Sequence, residues 1–175
     1  MRKVAPDTDS RQTGSSQPNK YLVIDNPTLL ERTILESIPL ARAMDLTVLE
    51  YDGNRLALNA PLSSNVNDKG CAFGGSMVSL MTLAGWGLVN LKLGEADCSA
   101  DVFVADSSIS YLAPLWDELV AEAAAEPGHA WPNFLSDYQK RGKARITIAI
   151  EMTSVQGGAV VCKMCARFVA KRSAQ

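Results

Sequence analysis

Between Asn65 and Leu93 the chain reads NVNDKGCAFGGSMVSLMTLAGWGLVNLKL, and the fold turns on what this stretch is. It opens polar, passes through Gly74-Gly75, and becomes a long apolar segment that keeps taking in glycine. A membrane span, a phosphate-cradling loop and a core helix with a site at its mouth all share that outline. Cys71 to Leu91 has the length of a span, but Ser, Thr, Gly and Asn interrupt it and no second hydrophobic segment accompanies it. The lead DKGCAFGGS lacks the G-x-x-x-x-G-K-[ST] order and follows a hairpin signal rather than opening a βαβ unit. The remaining reading is a buried helix whose first amides, at Gly74, Gly75 and Ser76, point at anything negative. Glycines there let a carbonyl approach the backbone closely, and Asn65, Asn67 and Asp68 stand just upstream. That combination suits an oxyanion developing on an acyl carbonyl.

Outward from this helix the pattern is mostly strand. Upstream, NPTLLERTILESIPLARAM predicts an amphipathic helix over Thr28 to Ile38, with Thr28 and Glu31 as a capping box and Pro39 as its stop. LTVLEYDGNRLALNAPL predicts two strands joined at Asp52-Gly53. Downstream, DVFVADSSISYLAPL has Phe103, Ala105, Ile109 and Tyr111 on one parity and Asp106, Ser108 and Ser110 on the other. ELVAEAAAE is read as a strand between prolines, and PGHAWPNFLSDYQKRG as a loop with at most one helical turn. KARITIAIEM and GAVVCKMCARFVAKR alternate strongly and are separated by TSVQGG, a hairpin signal. The expected class is α+β, an antiparallel sheet wrapped around one long central helix.

The 175 residues suit one domain, expected over 21–175 behind a disordered polar tail over 1–20. A formal net charge of −2 argues against a nucleic-acid partner. The N-terminus has no apolar h-region, so the expected location is cytoplasmic, with no membrane span. Four cysteines then imply no disulfide framework. Cys162 and Cys165 form a C-x-x-C, but in a strand positions three apart face opposite sides, so no metal is expected there.

The segments PLSSNVNDKGCAFGGSMVSLMTLAGWGLV, VADSSISYLAPL and RGKARITIAIEM resemble the hotdog-fold thioesterase family named after the C-terminal domain of YiiD. The resemblance runs from about Leu30 to Val169, through Asn-x-Asn, Phe-Gly-Gly-Ser, Gly-Trp-Gly and Asp-x-x-Ile-x-Tyr-Leu-x-Pro in order. It implies a stand-alone hotdog domain that forms a homodimer, or a dimer of dimers, with a continuous larger sheet. It also implies interfacial sites near the helix N-terminus, acting on thioesters of coenzyme A (acyl-CoA) or acyl carrier protein (acyl-ACP), with no cofactor beyond the carrier itself. Many relatives have His-Gly-Gly at this entrance and an acidic residue further along the helix; here Phe73 and Thr82 stand at those places.

The candidate site follows. Gly75, with Gly74, supplies the oxyanion amides; Asn67, six residues before Phe73, positions water or substrate. Asp106 is the expected carboxylate base, against the alternative of a solvated strand carboxylate, and Asp68 is the second candidate, against a role as helix cap. Asn65 reads as a loop brace. Ser76 lacks the G-x-S-x-G setting of a nucleophile, and the single histidine, His129, has no elbow motif to serve. Phe73, Met77, Thr82 and Trp86 are candidates to line an acyl pocket, or plain core. Arg141, Lys143 and Arg145 are candidates for carrier phosphates or an acidic carrier helix, or a solvated hairpin end. The expected activity is acyl-thioester hydrolysis in fatty-acid or polyketide-like metabolism. A hydratase or dehydratase of carrier-bound chains, and a non-catalytic acyl-thioester binding module, are the alternatives.

Overall fold

A computed structural model describes residues 23–173. The tail expected over 1–20 lies outside them. Helix α1 spans Pro27–Ser37. Its cap is Asn26, not Thr28: Asn26 has extended backbone, its side chain accepts from the Leu29 amide at 2.9 Å, and Pro27 takes the first helical position. Glu31, read as the far half of a capping box, instead accepts from the Val48 amide at 2.6 Å and ties α1 to the sheet. Pro39 does stop α1, forcing Ile38 extended, and then opens the short helix α2, Pro39–Ala43.

Strands β1 (Thr47–Tyr51) and β2 (Arg55–Ala60) form the expected hairpin, with Gly53 at positive φ in the turn. Asp52 accepts from the Asn54 and Arg55 amides, which holds its carboxyl below the usual range. Helix α3, Gly74–Glu95, follows. It is long and apolar enough to cross a membrane, with mean hydropathy 1.2 in its most apolar window, but 61% of that window is buried. Apolar on every side, it is enclosed: Leu80, Met81, Ala84 and Leu88 are fully buried with Leu56 and Leu58 of β2 and Ile148, Ile150 and Phe168 beyond. Gly85 lets the helix lie against the sheet, since a Cβ there would stand 2.6 Å from the Phe168 ring.

Strands β3 (Asp101–Tyr111), β4 (Leu119–Ala125), β5 (Lys143–Thr153) and β6 (Val160–Lys171) complete an antiparallel sheet in the order β1-β2-β4-β5-β6-β3. ELVAEAAAE is a strand as expected. The stretch read as a loop is not: Trp131–Arg141 forms three turns of helix, α4, with Pro132 in its first turn and Gly142 left-handed at its end. Phe134 and Tyr138, four apart, are the buried stripe that the flanking prolines obscured.

One register detail governs the site. A bulge between Val104 and Asp106 inserts one residue into β3. The single-parity reading therefore breaks: Phe103 pairs with Val169, on the same outward face as Asp106, Ser108 and Ser110, while Val104 pairs with the inward Phe168 and Ile109 and Tyr111 with Met164 and Cys162. In the C-x-x-C, Cys162 is buried and Cys165 exposed, on opposite faces as the period of two requires. Among the described residues no group of His, Cys, Asp and Glu has the makings of a metal site.

Candidate active site

The mouth of α3 is open. Phe73 is its N-cap residue, and among the described residues no side chain caps the first turn. The Met77 amide closes the first helical bond on the Phe73 carbonyl at 3.0 Å, so the Gly74, Gly75 and Ser76 amides precede the ladder. Gly75 is exposed and Ser76 half-buried. The Phe73 ring, 54% exposed, folds back over Gly75 so closely that a Cβ there would collide with it. On the other flank Tyr111, at the end of β3, donates its hydroxyl to the Gly74 carbonyl at 3.3 Å, and its ring lies 3.3 Å from where a Gly74 Cβ would be. Both glycines are thus closely approached, one beneath Phe73 and one against Tyr111.

The loop before the helix is a small hairpin. Phe73 N–H donates to Asn65 O at 2.7 Å, Val66 bridges Ala72, and Asn67 N–H donates to Cys71 O at 2.8 Å. Asn65 braces its base: the buried amide donates to Met44 O and Pro61 O at 2.9 and 2.8 Å. Asn67 is engaged at both ends, donating to Cys71 Sγ at 3.1 Å and accepting from the Lys69 amide at 2.8 Å. This ladder carries the Asp68–Gly70 tip away from Phe73. Asp68 there is exposed and meets its neighbour Lys69 at 2.9 Å, a pairing of little energetic weight; it caps nothing.

Asp106 stands elsewhere. It lies five residues before Tyr111, about 17 Å along an extended strand, on the outer face, where it pairs with Arg167 of β6. The fold of the chain does not bring it to the α3 mouth. Further along α3, Thr82 is half-buried, Met77 is core, and the Trp86 indole donates to Val102 O at 3.1 Å, tying the helix to β3. His129 is exposed in the loop before α4. Arg141, Lys143 and Arg145 lie at the opposite end of the sheet, around an open concavity of about 450 Å³.

A family model described as "Putative thioesterase (yiiD_Cterm)" matches residues 28–172. The chain belongs to that family. A solved structure of a protein of unknown function from Chlorobaculum tepidum TLS has a TM-score of 0.78 at 27% identity, over 85% of this chain and 98% of that one. A "putative thioesterase" from Shewanella oneidensis gives 0.75 at 26% identity, over 83% and 96%. A thioesterase from Haemophilus influenzae, at 12% identity and TM-score 0.67 over 88% and 96%, shares the fold. The hotdog architecture, one antiparallel sheet around one long helix, is therefore that of the YiiD C-terminal thioesterase family.

In this family member, Tyr111 is the residue at the mouth that sequence reasoning did not single out. It stood in the quoted Asp-x-x-Ile-x-Tyr motif, and its parity with Ile109 was available. What was hidden was that β3 ends beside Gly74. Leu112, Val66 and Trp116 are likewise exposed near this end, and a Cβ at Gly70 would lie 3.8 Å from the Trp116 ring.

Proposed function

We propose that this chain hydrolyses acyl thioesters at the mouth of α3, within a two-fold dimer formed along the free edge of β3. The observation that carries the reading is the first turn, Gly74-Gly75-Ser76, with both glycines closely approached and, among the described residues, no side-chain acceptor on the amides. Such amides, oriented before any substrate arrives, stabilise the charge on a tetrahedral oxyanion without reorganising. Family membership supplies the reaction class.

The dimer has its own support. Among the described residues β3 is an eleven-residue edge strand that pairs with β6 alone. Phe103, Val104 and Tyr111 are all exposed along it. A long bare edge with apolar side chains is a template for pairing, whereas the other edge, β1, has five residues and α1 tied to it. A second copy on β3 would bring the partner's strand beside Tyr111.

Three residues remain for the handling of water: Asn67, Asp68 and Asp106. We assign Asn67 the role of fixing the loop that sets Phe73, with its amide available to orient water once substrate displaces the Cys71 contact. Asp106 and Asp68 stand off the mouth in the isolated protomer, so amide stabilisation is expected to carry most of the rate. The test is thiol release from a panel of acyl-CoA and acyl-ACP thioesters. Turnover by wild type that is lost in Gly75→Ala supports the assignment; turnover lost in Asp106→Ala but kept in Gly75→Ala transfers the chemistry to the outer face. Thr82, at the place where many relatives carry a helix carboxylate, favours a second reading as a non-catalytic acyl-thioester binder, for which the same assay would find saturable binding and no thiol.

A further inference from the structure

The end of the sheet remote from the α3 mouth is strongly basic. The last turn of α4, the start of β5 and the end of β6 gather Lys140, Arg141, Lys143, Arg145, Lys171 and Arg172. Asp137 and Asp101 are the acidic residues on the same stretches and the adjoining start of β3. The whole chain nets −2, so this corner runs against the rest of the molecule. Lys143 and Lys171 are direct cross-strand partners, and like charges set opposite each other weaken a sheet. Asp101 flanks Lys171 on β3, while Arg141 meets Asp137 only at 3.8 Å. The concavity lined by Asp137, Arg141, Lys143, Ala144 and Arg145 is open, and among the described residues no aromatic ring lines it on which an adenine would stack. A broad basic surface without a base-stacking slot fits an acidic protein face better than a nucleotide.

We infer that this corner docks an acidic acyl carrier protein and delivers its thioester to the partner subunit's α3 mouth, not to its own. The inference rests on the thioesterase reading and its β3-paired dimer. Within a protomer the corner lies at the C-terminal end of α3, and 22 helical residues put it about 33 Å from Gly74, beyond an extended phosphopantetheine arm. Antiparallel pairing of two β3 strands about a point near Asp106 sets the partner's Asp101 beside Tyr111. With strands about 4.8 Å apart, the partner's Lys171 and Lys143 then lie about 10 and 14 Å from Tyr111. Lys143 and Lys171 stand on the outer face and Tyr111 on the inner one, so the arm rounds the end of the sheet, and the dimer brings a remote corner within its reach of the other subunit's site.

The readout is the ratio of kcat/KM on acyl-ACP to that on the matching acyl N-acetylcysteamine thioester, which has the scissile bond but no carrier. Arg141→Glu with Lys143→Glu is expected to lower this ratio about 10²-fold, as loss of steering does, and Arg141→Gln with Lys143→Gln by less, both with native melting curves. An unchanged ratio overturns the docking surface. An equal fall in the acyl-CoA to N-acetylcysteamine ratio overturns it too, because it assigns the corner to phosphates. Tagged heterodimers test the crossing. A subunit with Gly75→Ala and an intact corner, paired with one carrying an active mouth and the Glu variants, should retain acyl-ACP turnover. A subunit carrying all three changes, paired with wild type, should lose it; the opposite pattern contradicts delivery across the dimer. If wild type cleaves no thioester, the thioesterase reading has failed, and anisotropy of labelled carrier protein on wild type against the Glu variant still decides the surface.

Discussion

The two ends of α3 are built on opposite principles. At the C-terminal end nearly every polar group is matched. Lys92 donates to Gly53 O at 2.9 Å and to Glu95 at 2.5 Å, lies 5.9 Å from the Trp131 ring centroid, and Tyr51 hydrogen-bonds the other oxygen of Glu95. Burial, then the Glu95 bond, pushes the Tyr51 hydroxyl above the ordinary phenol range. Burial also works against the Glu95 charge, yet Lys92 and Tyr51 hold its carboxyl below its usual value. The N-terminal end has two crowded glycines, an exposed Phe73 and, among the described residues, no side-chain cap. One end is closed upon itself and serves stability; the other leaves its donors for a ligand, the kind of local rule-breaking expected at functional sites.

That contrast predicts where activity and stability separate. Gly75→Ala has the largest expected effect on turnover: it keeps the amide but sets a methyl where the acyl carbonyl must approach, and a fall of about 10²-fold in kcat/KM is expected, the size of effect seen when an oxyanion contact is lost. Its melting temperature should stay within a few degrees, because alanine suits a helix and the exposed Phe73 ring is free to swing away. On the proposed β3-paired dimer, Phe103→Asp with Val104→Asp should leave a monomer in sedimentation and abolish turnover with it; a fully active monomer would refute the interfacial site. At the closed core the pattern reverses. Gly85→Ala pushes a methyl into Phe168 and should cost about 1–3 kcal/mol in denaturant melts, with turnover at low temperature nearly native. Asp106→Ala should change kcat/KM by only a few fold, since its partner is the exposed Arg167.

The smallest expected effect is a pH dependence at the β1–β2 turn. The Asp52 carboxyl is lowered in the folded chain, so its stabilising contribution is complete above the unfolded carboxylate value and fades as pH falls through the folded one. Asp52→Asn should flatten the acid limb of the melting curve slightly, and an unaltered limb would remove the turn from the account.

Much of this architecture was readable from residues, for physical reasons. Asp52-Gly53 announces its turn because few residues accept positive φ, and the alternation through Ile146, Ile148 and Ile150 survives because one face is buried throughout. α4 was missed because Pro127 and Pro132 look like loop punctuation, although Pro132 with Gly142 is also a helix start and stop. The β3 bulge leaves no mark in the alternation, and it alone transfers Phe103 to the face of Asp106. The amides of the mouth were legible from Gly74-Gly75. The distance between Asp106 and that mouth was not, because it depends on which face and which end of β3 each residue occupies.

The most direct test of the central claim is amide NMR on the isotopically labelled protein, titrated with a trifluoromethyl ketone analogue of an acyl thioester, whose hydrated form mimics the tetrahedral oxyanion. The account predicts downfield shifts concentrated at the Gly74, Gly75 and Ser76 amides, and their loss in Gly75→Ala. Unmoved amides at those three positions, with shifts gathered instead at Asp106, Ser108 and Cys165 on the outer face, would contradict it.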